Sequence, residues 1–114
     1  MNLENMSIKE IWEKAEQVLQ ADKQPYKHLK AIYELHLDGD VYQLHFDNGE
    51  LNYYEEAVAD AQCTLQMSEK NFKKFLAGDL NSAMAFMTGQ LKVEGNISLA
   101  LSLEKILKKY TFFS

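Results

Sequence analysis

The sequence predicts an α+β fold, an open α/β arrangement in which a five-stranded, largely antiparallel sheet carries helices packed on one face. Three observations carry this expectation. Apolar residues repeat at helical spacing near the N-terminus, alternate strictly through the middle of the chain, and return to helical spacing afterwards. Two turn signals, "DGD" at 38–40 and "DNG" at 47–49, punctuate the alternating part. Ser7, Ser68, Asn81 and Asn96 each stand just ahead of an apolar helical run, where a capping side chain belongs.

The elements follow in order. Ser7 and Glu10 form a capping-box pattern, and Ile8, Ile11, Trp12, Ala15, Val18 and Leu19 share one stripe. Pro25 and the polar residues before it end this helix, which is placed at about residues 7–23. Tyr33, Leu35 and Leu37 then alternate with polar residues, as do Tyr42, Leu44 and Phe46 beyond the first turn. "ELNYYEE" continues as a third strand, and "AQCTLQM" as a fourth with Ala61, Cys63, Leu65 and Met67 inward. Four strands on short connections predict an antiparallel meander with one buried face. Ser68 caps a short helix with Phe72, Phe75 and Leu76 on one side, closed by Gly78. Asn81 caps another that bears Ala83, Met84, Phe86 and Met87 and ends at Gly89. "QLKVE" is the fifth strand, with Leu91 and Val93 inward. Gly95 turns the chain, and Asn96 caps a last helix reaching about Tyr110.

Composition narrows the function. A chain of 114 residues fits one domain, residues 1–114, and its 46% hydrophobic content supports a core. No apolar run approaches the roughly 18 residues of a membrane span. The N-terminus lacks the basic head and apolar stretch of a signal peptide. Cys63 is the single cysteine, so no disulfide forms within these residues, and a cytoplasmic location is expected. The 17 acidic residues outnumber the 12 basic ones, for a net charge of −5, and every basic residue is a lysine. That balance argues against nucleic acid, whose binding rests on neutralised phosphates. The lysines of "KILKKY" read as a solvated helix end that complements the helix dipole.

The apolar surface of the last helix is excessive. At about 100° per residue, Leu99, Ala100, Leu103, Ile106, Leu107 and Tyr110 form one stripe that packs on the sheet. Ile97 and Leu101 fall outside that stripe, and each forgoes roughly 1.5–3 kcal/mol of burial if left in water. The preceding "AMAFM" is uncharged, and its Met84 and Met87, like Met67, are side chains that adapt to ligands of varied shape. Ordinary core packing accounts for part of this surface. The rest calls for cover by another part of the fold, a partner chain or an apolar ligand.

The segment "GDLNSAMAFMTGQLKVEGNISLALSLEKIL" resembles the sterol carrier protein 2 (SCP2) domain family. The resemblance is carried by Gly78, Asn81, Phe86, Gly89, Leu91, Val93, Gly95 and Asn96, then by Leu99, Ala100 and Leu103. "ADAQCTLQMS" and "LDGDVYQLHFDNGEL" are similar to the family's upstream strand and first hairpin. The likeness spans about residues 25–110 and is specific from Gly78 onward. It implies a hydrophobic tunnel between sheet and helices, a ligand that is a fatty acid, acyl-CoA, sterol-like lipid or phospholipid, no catalytic residues and no cofactor. Carried over by position, the tunnel lining is Phe86, Leu91, Val93, Leu99, Ala100 and Leu103. Periodicity adds Met84, Met87, Ile97 and Leu101. The ending "KKYTFFS" lacks the peroxisomal tripeptide of eukaryotic members, which fits a bacterial cytoplasmic protein.

Other constellations carry less. His36 and His45, with Glu34 opposite His45 if "GD" is the tight turn, would make a two-histidine, one-carboxylate set, but these positions alternate with apolar ones and face solvent. No metal is expected. Cys63 lies on the inward register and reads as a small buried hydrophobe without an activating neighbour. Glu55 and Glu56 are solvated, and "GQLKVEG" has the wrong spacing for a phosphate-binding loop. Two readings follow. One is non-catalytic binding or transfer of a lipid or fatty-acyl ligand, with transient membrane contact. The other is an accessory interaction module of a lipid or quinone pathway, with the apolar surface covered by a second copy or a partner protein. The second draws on Phe112 and Phe113, two phenylalanines at the tail that call for cover by a partner unless the tail folds back and closes the tunnel.

Overall fold

The computed structural model describes residues 5–112 of the chain. Ser7 caps the first helix, α1 (Ile8–Ala21): its hydroxyl accepts the Glu10 N–H at 3.1 Å, and the Glu10 carboxylate accepts the Ser7 N–H at 3.2 Å. Ile8, Ile11, Trp12, Ala15 and Leu19 form the buried face of α1. Strands β1 (Lys30–Leu37), β2 (Asp40–Asp47) and β3 (Glu50–Tyr54) follow as two hairpins. Their turns, Asp38–Gly39 and Asn48–Gly49, have positive φ at both residues, the two-residue geometry that matches the twist of the flanking strands. The first turn is therefore Asp-Gly rather than Gly-Asp, because Asp tolerates the first left-handed position and Gly the second. Glu34 consequently pairs with Gln43, not with His45.

Strand β4 (Cys63–Met67) corrects the expected meander. The sheet order is β3-β2-β1-β4-β5, with β4 parallel to β1 and every other pairing antiparallel. Alternation in β4 specifies which face points inward, and says nothing about which free edge the strand joins. The connection from β3 to β4 crosses the outer face of the sheet. Gln43 holds it there: the side-chain amide nitrogen donates to the carbonyl of Ala59 and to the Glu34 carboxylate, both at 2.8 Å, while its oxygen accepts the N–H groups of Val58 and Ala59. His45 adds a contact to the same oxygen at 2.8 Å. This polar residue of the solvent-side register is thus fully buried. Burial also holds the His45 pKa below its ordinary value, so the imidazole is neutral near pH 7.

Helices α2 (Glu69–Ala77) and α3 (Ser82–Met87), strand β5 (Lys92–Gly95) and helix α4 (Ile97–Leu107) complete the chain. Ser68, Asn81 and Asn96 each accept an N–H of the first turn they cap. On the inner face, Trp12 stacks on Tyr53 with ring centroids 5.2 Å apart, and Phe46 makes T-shaped contacts with Tyr26 and Tyr33. Helix α4 packs over β4 and β5, and the Tyr33 hydroxyl donates to the Leu99 carbonyl at 2.8 Å. Its C-terminal end is tied to that of α1 by a 2.6 Å hydrogen bond from the Tyr110 hydroxyl to the Asp22 carbonyl. No helix among the described residues is long and apolar enough to cross a membrane.

Gln62 and Gly95 fix the junction from which α4 departs. The Gln62 carbonyl accepts the Asn96 N–H at 2.9 Å, and its side-chain oxygen accepts the Ile32 N–H at 2.6 Å. A Cβ on Gly95 would stand 2.5 Å from that same carbonyl oxygen, at a φ of +85°. Gly89 shares the left-handed conformation, with φ +80°, but faces open space. Gly95→Ala is therefore expected to lose about 3 kcal/mol or more, and Gly89→Ala about 1–2 kcal/mol, in urea denaturation. Equal losses would show that the close approach to Gln62 is not what matters at this corner.

Candidate functional site

The inner face of β4 and β5 is only partly covered by the helices above it. Leu65 and Met67 of β4, with Leu91 and Val93 at β5, form the floor of a cavity of about 270 Å³. Phe75 of α2, Ser82, Ala83 and Phe86 of α3, and Ile97, Ala100, Leu101 and Glu104 of α4 form its walls. The local sequence explains the space. Helix α3 spans only six residues, and small Ala83 and Ala100 stand where larger side chains would fill the gap. On α4, Leu103, Ile106 and Leu107 are buried against the core, while Ile97, Leu101 and Glu104 lie on a second stripe along the cavity. The cavity opens to solvent where Phe86, Ile97 and Leu101 remain 51%, 56% and 57% exposed.

Of the residues singled out in the sequence, Phe86, Leu91, Val93, Ile97, Ala100 and Leu101 meet at this cavity. Leu103 instead belongs to the closed core, since it falls on the sheet-facing stripe of α4. Leu99 is half-buried beside that core, outside the cavity wall. Met84 and Met87 project from α3 into solvent, Met87 with 82% of its surface exposed. The sequence pointed to the inward register of Leu65 and Met67 and grouped Met67 with Met84 and Met87, but gave no reason to join Leu65 to α3 and α4. Phe75, Ser82, Ala83 and Glu104 also went unselected. The signal for Glu104 was present: it follows Ile97 and Leu101 at helical spacing.

The lining is apolar apart from one corner. Glu104 is its one ionisable residue; the Ser82 hydroxyl donates to Oε2, and the Lys108 ammonium stands 3.8 Å from Oε1. Nothing in the wall resembles an activated nucleophile. Cys63 is buried elsewhere on the inner face, and burial pushes its thiol pKa up. On the opposite face, His36 contacts the Glu34 carboxylate at 2.6 Å, which keeps that carboxyl below its ordinary pKa. Among the described residues, no group of three or more His, Cys, Asp or Glu side chains is placed to hold a metal ion.

The tail turns back onto the fold. Phe112 is buried against the chain's own core, with its ring centroid 5.6 Å from that of Tyr110, whereas Phe113 lies outside the described residues. An exposed phenylalanine pair therefore supplies no argument for a partner. For Cys63, labelling by a thiol-reactive disulfide at pH 8 is expected to proceed only as fast as the fold opens, and to accelerate steeply in urea. Rapid labelling in native buffer would contradict the burial of Cys63.

Three comparisons with known proteins bear on this geometry. The model of the SCP-2 sterol transfer family matches residues 12–108. Hydroxysteroid dehydrogenase-like protein 2 of Bos taurus is 34% identical over 88 residues, covering 73% of this chain but only 21% of that protein. The fatty acid-binding protein of Yarrowia lipolytica is 40% identical over 75 residues, or 66% of this chain and 51% of the relative. The chain thus spans about a fifth and about half of these two relatives' lengths. The structure of sterol carrier protein 2 from Yarrowia lipolytica in its apo form superposes with a TM-score of 0.60 at 29% identity, over 82% of this chain and 77% of the other.

Proposed function

This chain belongs to the SCP-2 sterol transfer family, and we propose that it binds and carries an apolar lipid without altering it chemically. The observation that carries the reading is the apolar cavity whose mouth is rimmed by half-exposed Phe86, Ile97 and Leu101. Each of these side chains gains burial when an apolar chain lies against it, and full burial of such a residue is worth roughly 1.5–3 kcal/mol. Ligand cavities commonly run from about 300 to 1,000 Å³, so a volume of about 270 Å³ suits one slender acyl chain better than a fused ring system. The open side lets the remainder of a longer lipid protrude. A fatty acid-binding protein among the relatives supports an acyl ligand. In this reading residues 1–114 act as one lipid-binding domain whose role is binding rather than catalysis. A single unpaired, buried cysteine fits a reducing cytoplasmic setting.

A second reading draws on a separate observation. Met84 and Met87 are exposed on α3 outside the cavity wall, and adaptable methionine surface of this kind suits contact with another chain. Under it, the protein self-associates as concentration rises in sedimentation equilibrium, and Met87→Lys abolishes the association. A wild-type protein that stays monomeric throughout removes the second-copy form of this reading.

The lipid reading is tested at Leu101, which lines the cavity yet is more than half exposed. Leu101→Glu is expected to weaken binding of a fluorescent C18 acyl probe at least about tenfold, while costing under about 1 kcal/mol of folding stability. Unchanged affinity would place the probe somewhere other than this cavity.

A further inference from the structure

The cavity is apolar along its length and polar at one end. Along α4, Ile97, Leu101, Glu104 and Lys108 succeed one another on a single stripe, so Glu104 sits about 10 Å further along the axis than Ile97. Ser82, at the start of α3, meets it there from the other wall, and its hydroxyl proton occupies Oε2. Oε1 is bound less completely, because Lys108 approaches only to 3.8 Å and its side chain is 62% exposed against 20% for Glu104. Ser82, Ala83 and Glu104 also border a shallower polar recess that reaches Asp79, Asn81 and Lys108. These three residues thus border both cavity and recess, and the recess is lined by two carboxylates and one ammonium.

From this we infer that Glu104 makes the site selective for lipids whose polar end is an uncharged hydrogen-bond donor, a hydroxyl rather than a carboxylate. The inference rests on the lipid-binding reading above and assigns the polar end of the ligand to the Ser82–Glu104 corner. An alcohol O–H donates to Oε1 and leaves the Ser82 and Lys108 contacts in place. A carboxylate has no proton to donate, and it brings a second negative charge beside Glu104 where solvent is partly excluded. The apolar chain then runs from Glu104 toward Phe86, Leu101 and Ile97. Binding in the opposite sense, with the polar end at the mouth, would leave Glu104 indifferent to its charge.

The test titrates the purified full chain with two fluorescent polyene C18 probes, one a fatty acid and the other the matching alcohol, at neutral pH. The wild type is expected to bind the alcohol at least about tenfold more tightly, a gap of about 1.4 kcal/mol. Glu104→Gln keeps the size of the side chain and an acceptor for Ser82. It is expected to tighten the acid and shrink the gap to within about threefold, with the alcohol little changed. Lys108→Ala, an exposed substitution that spares the fold, is expected to widen the gap. Equal affinities in the wild type, or a gap that neither substitution moves, would overturn the role of Glu104 while leaving lipid binding intact. Failure of the wild type to bind either probe would overturn the lipid reading, and this inference with it.

Discussion

Helix α4 must satisfy two apolar faces with one partner sheet. Leu103, Ile106 and Leu107 take the sheet-facing side and close the core, while Ile97 and Leu101 on the adjoining stripe face a helix too short to cover them. A helix that is apolar over most of its first two turns requires cover on both sides to remain in water at no cost. The protein supplies that cover incompletely. The shortfall is concentrated on α3, where Ala83 leaves room and Phe86 reaches only partway across. The cavity is the direct result of that mismatch between the width of the apolar band on α4 and the size of what packs against it.

The sheet topology decides where the mismatch falls. Because β4 joins the free edge of β1, β5 lies at the margin of the sheet and α4 rides over the outermost two strands. Helix α1 covers the other side of the inner face through Trp12 and its neighbours, so the sheet has one well-filled half and one open half. The return from β3 to β4 is held across the outer face by the amide of Gln43, which satisfies donors and acceptors of the crossing segment at once. Hydrogen bonds of this kind contribute about 0.5–1.5 kcal/mol each. A single glutamine thus stabilises the connection that makes the parallel pairing possible. Gln62 and Gly95 complete the arrangement on the other side, where the close backbone approach sets the direction in which α4 leaves the sheet.

The chemistry of the cavity follows from what this packing brings together. Its walls are aliphatic and aromatic, with a hydroxyl and a carboxylate confined to one corner. Such a surface can hold and orient a ligand, and its few polar groups offer hydrogen bonding and charge. Cys63 and the His36–Glu34 pair lie apart from it, the thiol within the core and the imidazole on the opposite face of the sheet. Membership of the SCP-2 sterol transfer family agrees with a binding role, and the curated relatives show that sequences of this kind also occur within longer chains.

The sequence by itself determined the local elements, since each depends on residues a few positions apart. The capping box of Ser7 and Glu10, the Asn96 cap and the switch between helical and alternating periods are all short-range features, and the family likeness rests on such a string from Gly78 onward. It also marked Ile97 and Leu101 as lying off the core stripe, because helical projection needs no knowledge of the partner. Tertiary structure alone decided the rest. Alternation in β4 does not encode an edge, so its parallel pairing with β1 was hidden, and with it the burial of Gln43. The inward fold of Phe112 and the meeting of Ser82 with Glu104, 22 positions apart, likewise depend on long-range packing. A periodic pattern reports which way a side chain faces; only the folded chain determines what stands opposite it.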